Sequence, residues 1–243
     1  MEPEKKAERV LRTFTAPWEK PLLIRMAKAL PAWVTSDHLT VLAVIASFIT
    51  GLGFYLLRFS QWWILLSNAG FVIHWWGDSL DGTLARVRHK EREKFGFFVD
   101  HICDAWAVVV ICTGLGLSPI VRLDLALFVA IAYLLMNIFA HVLTYVQRVF
   151  KLSYGRFGPT EVRIIMMAVT TLLTFWNPVI FRVLSFAFTL GDFILLALAA
   201  VLVAIFILSS VLKAIELDRL DRAAGLGEAR PPDNASRTSP SSR

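Results

Sequence analysis

Four aspartates set in apolar sequence constrain this chain more than any other feature. Asp78 and Asp81 lie in Asp78-Ser-Leu-Asp81-Gly82-Thr-Leu-Ala85-Arg86, and Asp100 and Asp104 lie in Gly96-Phe-Phe-Val-Asp100-His-Ile-Cys-Asp104. An ionised carboxylate at the centre of an apolar span costs about 2.5–3.5 kcal/mol on insertion scales. Four of them cannot be kept without partners, and clustered carboxylates are most readily satisfied by a divalent cation. The fold must therefore bring the two stretches together.

The surrounding sequence is that of a polytopic helical membrane protein. Hydrophobic residues make up 56% of the 243, above the ~45–50% of a soluble domain, and they come in long runs. The expected fold class is all-α, with six spans at roughly 39–57, 62–84, 95–117, 123–146, 162–178 and 186–212. Three regions follow: a cytoplasmic N-terminal segment at 1–37, a six-helix catalytic domain at 38–217, and a disordered tail at 218–243. Pro21 suits a first helical turn and Pro31 a stop, so 18–30 is expected to be a helix. Leu22, Leu23, Met26 and Leu30 can share one face, which fits a helix on the membrane surface or a plain connector.

Charge sets the orientation. Of the 25 Lys and Arg residues, 22 fall in the N-terminal segment, the 86–94 loop, the 148–163 segment and the region from Lys213 onward. Only Arg58, Arg122 and Arg182 fall on the other side. The asymmetry predicts cytoplasmic termini. It also explains the net charge of +6 through anionic lipid headgroups, with no nucleic-acid partner. The first 37 residues have no early apolar run of the secretory kind. Cys103 and Cys112, nine residues apart on one span, would sit on opposite helix faces and cannot bridge each other.

Helical spacing organises the aspartates. Asp78, Asp81, Gly82 and Ala85 share one face, as do Gly96, Asp100 and Asp104. The short loop between the helices makes them antiparallel neighbours, so the two acidic faces can meet just below the cytoplasmic surface. Three or four carboxylates there can hold two hard cations with positions left for phosphate oxygens. The plainer alternative is that the aspartates cap helices or pair with Arg86, Arg88 and other loop cations. Four at face-sharing spacing, with glycines between them, fit it poorly.

These residues resemble the signature of the CDP-alcohol phosphatidyltransferases: Asp-x2-Asp-Gly-x2-Ala-Arg, a spacer, then Gly-x3-Asp-x3-Asp. All eight fixed positions are present, as Asp78, Asp81, Gly82, Ala85, Arg86, Gly96, Asp100 and Asp104. The spacer, Val87 to Phe95, is nine residues, where the family usually has about eight, as its signature implies. The resemblance implies a six-helix bundle, usually a homodimer among membrane lipids. It implies two divalent ions, Mg2+ or Mn2+, held by Asp78, Asp81 and Asp100, with Asp104 completing the shell. Gly82, Ala85, Arg86 and Gly96, beside Asp78 and Asp81, would line the site of the donor, CDP-diacylglycerol or a CDP-linked headgroup. The family gives the position of Asp104 the role of base toward the alcohol acceptor. As the last carboxylate on its helix Asp104 suits that role, with Asp100 next.

Weaker candidates surround the acceptor. His141 and Asn137 form an i, i+4 pair in the fourth span, while His74, one turn before Asp78, and His101 read as packed residues. At the start of the fifth span Arg156, Glu161 and Arg163 could meet a phosphate or headgroup, although Thr160 and Glu161 are also ordinary capping chemistry. The Gly158-Pro159-Thr160-Glu161 run is similar to a region of the choline and ethanolamine phosphotransferases. Two other functions compete: a cation transporter with a carboxylate-lined path, and an inactive lipid-binding relative. A transporter would need acidic residues along the membrane depth, and only Asp124 and Asp192 lie in the opposite half.

Overall fold

Apolar segments without access to water must satisfy their own backbone hydrogen bonds, and helices do so. The computed structural model describes residues 15–147, 158–183 and 186–223. Those residues form seven helices: α1 (Ala16–Ala29), α2 (Ser36–Leu56), α3 (Ile64–Val87), α4 (Glu93–Gly116), α5 (Leu123–Gln147), α6 (Pro159–Phe175) and α7 (Leu190–Ala223). Four of them, α2, α4, α5 and α7, are long and apolar enough to cross a bilayer. α3 has the length, but it carries Asp78, Asp81 and Arg86. α6 has 17 residues, about 25 Å of helix at 1.5 Å per residue.

Around the site, α2 is the centre. α3 and α4 each pack against it, and the described residues of α3 and α4 make little direct contact with each other. This corrects the expectation of adjacent acidic helices. The cause lies in the small residues. A Cβ on Gly77 would come within 2.7 Å of the Leu39 carbonyl oxygen of α2, and one on Gly114 within 2.4 Å of the Gly51 Cα. Such backbone approaches are open only to glycine. They draw α3 and α4 onto two sides of α2 and leave a groove between them.

α1 is a helix, as expected, and its buried face is Leu23 and Ala27, packed with Val34, Leu39, Leu80 and Leu84. Met26 and Leu30 support the same cluster, whereas Leu22 is exposed. The apolar face expected for a membrane surface thus serves largely as a contact with α3. Arg88 fixes the turn that follows. Its Nη2 donates to the carbonyls of Leu30 and Pro31, both at 2.9 Å, and its Nη1 donates to those of Ala32 and Val34. Arg88 therefore closes the C-terminus of α1, and Arg92 pairs with Asp37. Neither forms an ion pair with the half-buried signature aspartates among the described residues. Arg88→Ala is expected to lower stability in detergent by about 2–3 kcal/mol, since charged hydrogen bonds are worth roughly 1.5–3 kcal/mol each. An unchanged melting temperature would contradict this role.

The end of the fold remote from the aspartates departs from expectation. α6 stops at Phe175, and an antiparallel hairpin of β1 (Val179–Val183) and β2 (Phe186–Thr189) precedes α7. The sixth apolar run therefore begins helically at Leu190, not at 186. β-branched and aromatic residues favour strands over short lengths, and Phe181 stacks on Phe188 at 4.8 Å. Asp192 is buried and accepts from the N–H groups of Arg122, at 2.8 Å, and Thr189, at 2.9 Å. Asp124 pairs with Arg122 at 2.7 Å. Both acids described in this half thus have structural partners.

The described residues through Val203 form one compact unit and those from Ala204 a second. The described part of the second is helical to Ala223, six residues into the expected tail. It carries the pairs Lys213–Glu216 and Arg222–Asp218.

Candidate active site

A cavity lies in the groove over α2. Thr40, Ala43 and Val44 of α2 form its floor, with His74, Asp78 and Asp81 of α3 on one wall and Asp100, Cys103 and Asp104 of α4 on the other. All four signature aspartates line it. Its α2 residues were not singled out from sequence, where Thr40 is one hydroxyl in an apolar run.

Oxygens of Asp78, Asp100 and Asp104 all lie within 4.8 Å of one another. Oxygens sharing one octahedral ion with bonds of about 2.1 Å sit roughly 3–4 Å apart. A small closing movement would bring these three onto one ion, and an all-carboxylate set suits a hard divalent cation. Asp81 faces the same cavity with its carboxylate already engaged. Thr40 Oγ1 donates to Asp81 Oδ2 at 2.7 Å, and the Gly82 N–H donates to Oδ1. Ser36 Oγ donates to the Asp81 carbonyl at 2.9 Å. The geometry thus groups Asp104 with Asp78 and Asp100, and sets Asp81 one step aside.

Asp78 has a partner that the nearby loop did not suggest. Arg163 of α6 donates from Nη2 to Asp78 Oδ2 at 2.6 Å. α3 and α6 run antiparallel, joined also by Asn68 to Thr171 at 2.9 Å and Trp75 to Thr160 at 3.2 Å. Two buried polar atoms near this pair lack a hydrogen-bond partner, Arg163 Nη1 and His74 Nδ1.

Glu161, one of the expected acceptor residues, is committed to the fold. Its Oε1 accepts from the N–H and hydroxyl of Thr15, both at 2.9 Å, and its Oε2 accepts from the Gly158 N–H at 2.9 Å. Thr160 and Trp75 Nε1 both donate to Glu19 Oε1, at 2.8 Å. The Gly-Pro-Thr-Glu run therefore caps α6 and ties α1 to it.

The remaining predicted residues fall around the groove. Arg86 is exposed near the end of α3, and its guanidinium lies 3.4 Å from where a Cβ on Gly82 would be. Ala85 is half-buried. Gly96 is exposed and has open space where a side chain would stand. His141 belongs to a different cluster. Its Nδ1 bonds the Asn137 carbonyl oxygen at 2.6 Å, and its ring meets His101 at 4.5 Å and Phe97 at 5.9 Å between centroids. Arg156 lies outside the described residues.

The chain spans about half the length of the curated relative it matches, cholinephosphotransferase 1 of Gallus gallus. The two are 27% identical over 174 residues, 67% of this chain and 49% of the relative. The family model of the CDP-alcohol phosphatidyltransferases matches residues 33–208. That match takes in α2 through α6, the groove and all four aspartates, and by it this chain belongs to the CDP-alcohol phosphatidyltransferase family.

Proposed function

We propose that this protein transfers a phospho-linked alcohol group from a CDP-linked donor to the hydroxyl of an alcohol acceptor, releasing CMP, in phospholipid synthesis. The observation that carries the reading is the meeting of Asp78, Asp100 and Asp104 within 4.8 Å, inside the family's signature. The similarity to a cholinephosphotransferase favours a CDP-linked headgroup as donor and a lipid alcohol as acceptor. CDP-diacylglycerol with a small alcohol is the other arrangement.

Phosphoryl-group transfer depends on alignment and charge stabilisation more than on covalent help. Asp78, Asp100 and Asp104, with Asp81 beside them, would hold Mg2+ or Mn2+, two ions in this reading. Bound there, such ions supply charge neutralisation for the pyrophosphate and for the departing CMP. Arg86 contributes a fixed positive fork suited to phosphate oxygens. Gly82, Ala85 and Gly96 leave room for the nucleotide to approach the helix backbones. Asp104 accepts the proton of the acceptor hydroxyl as its oxygen attacks the β-phosphorus. The bond from that phosphorus to the CMP oxygen breaks, and a phosphodiester forms. Asp100 is the next candidate for the base. His141 and Asn137 on α5, with Arg156, are the candidates on the acceptor side; Arg163, expected there too, is bonded to Asp78 of the carboxylate group.

The test is to incubate the purified full chain with Mg2+, each CDP-linked donor and a panel of alcohols, and to follow CMP. Acceptor-dependent CMP release with one pairing supports the proposal. No release with any pairing contradicts it.

The same reading has six spans, α2 through α7, in a homodimer. α3 and α6 join the four long apolar helices, with Asp78 and Asp81 of α3 lining the groove and Arg163 of α6 bonded to Asp78. Both termini and the α3–α4 loop are cytoplasmic. Single cysteines introduced within 87–94, on a Cys103→Ser, Cys112→Ser background, should label from the cytoplasmic side. Those introduced within 58–61 should label from the opposite side. The reverse pattern would remove the cytoplasmic donor site.

A further inference from the structure

Asp78 is asked to serve two cations. It belongs to the carboxylate trio, yet its Oδ2 is bonded to Arg163 at 2.6 Å, with the two side chains only 15% and 19% exposed for Arg163 and Asp78. With Asp81, the cavity carries four carboxylates and draws this one fixed positive charge from α6. Like charges this close resist sharing a site unless a cation lies among them. Arg163 is therefore a counter-ion to the cluster as well as a partner of one residue.

The pairing is incomplete. A guanidinium offers five donors in a planar fork and makes its best carboxylate contacts in pairs. Here Nη2 alone reaches Asp78, while Nη1 is buried and unpartnered. A buried donor left unsatisfied costs about 1–3 kcal/mol, so this arrangement suits a site that expects one more acceptor. His74, only 6% exposed, sits one turn before Asp78 with Nδ1 also unpartnered. The backbone beneath Arg163 is meanwhile fixed, since Glu161 and Thr160 tie the first turn of α6 to α1. Any change of partner must then come from the long Arg163 side chain.

We propose that Arg163 is a built-in counter-cation that competes with the divalent ion for Asp78. Once the ion is seated, Arg163 turns its guanidinium to an oxygen of the donor's pyrophosphate. This rests on the reading that the cluster binds a divalent ion, and it adds a sign that simple positioning does not share. If Arg163 only oriented Asp78, removing it would weaken ion binding. If it competes, removing it strengthens ion binding while weakening capture of the pyrophosphate.

The experiment titrates the purified full chain with Mn2+ and reads free Mn2+ by electron paramagnetic resonance, in wild type, Arg163→Gln, Arg163→Lys and Asp78→Asn. Arg163→Gln should bind Mn2+ about tenfold tighter, within the usual range of coupling between two ligands. Arg163→Lys keeps the charge but loses the fork, and should gain roughly threefold. Asp78→Asn should bind more weakly than wild type. With Mn2+ saturating, CDP should bind Arg163→Gln less tightly than wild type. Should Arg163→Gln not fold, the gain in Arg163→Lys decides the matter. Equal or weaker Mn2+ binding in the arginine variants, with wild type binding normally, overturns the competition and leaves the metal site standing. Absence of Mn2+ binding in wild type and variants alike overturns the metal site, and the competition with it.

Discussion

Asp100→Asn is expected to lower the rate of CMP release by about 10²–10⁴-fold, the worth of several kcal/mol of metal-assisted charge stabilisation. The substitution keeps the shape of the side chain and deletes one charge from the trio with Asp78 and Asp104. Donor binding should fall together with the rate, because the ion and the pyrophosphate it neutralises are held jointly. Asp78→Asn should be as damaging but less clean. It also strips Arg163 of its anion at 2.6 Å, and leaving a buried charge unpaired costs about 3–5 kcal/mol. Steady-state rates with CDP-donor affinities, alongside melting temperatures, separate the two effects. An Asp100→Asn protein with near-normal turnover would remove Asp100 from the site.

Asp104→Asn is expected to produce a similar fall in rate, about 10²–10⁴-fold, the usual worth of a general base, with a different signature. An asparagine cannot take the acceptor's proton. If that is the main loss, donor affinity should change much less than turnover, since Asp78 and Asp81 would still hold the ion that meets the phosphates and Arg86 would still pair with them. The geometry makes this a sharp test, because Asp104 lies within the same 4.8 Å group as the two ligands. Loss of donor affinity in step with rate would make Asp104 mainly a ligand and move the base to Asp100.

The aspartate constellation was legible in the sequence because helical spacing alone puts each acidic set on one face. α2 was not. Thr40 reaches Asp81 at 2.7 Å, but from sequence it is one hydroxyl in an apolar run. That α3 and α4 flank α2 follows from glycines on which a Cβ would stand only 2.4–2.7 Å from α2 backbone, a matter of pairing between helices that no single-helix pattern contains. Arg163 and Glu161 were both singled out, and their partners lie 85 and 146 residues away. Sequence placed both at the start of a helix and could not separate a residue reaching the cavity from one closing a cap. The β1–β2 hairpin escaped for another reason. Short apolar runs rich in Phe and Val look alike as strand and as helix end.

At the heart of the proposed activity is the use of a divalent ion by carboxylates of α3 and α4 to drive CMP release. Its most direct test is CMP release by the purified full chain, with its working donor and acceptor, after EDTA and again after adding back Mg2+ or Mn2+. Loss of CMP release in EDTA and its recovery with the ion is the predicted result. Undiminished release in EDTA would contradict the account.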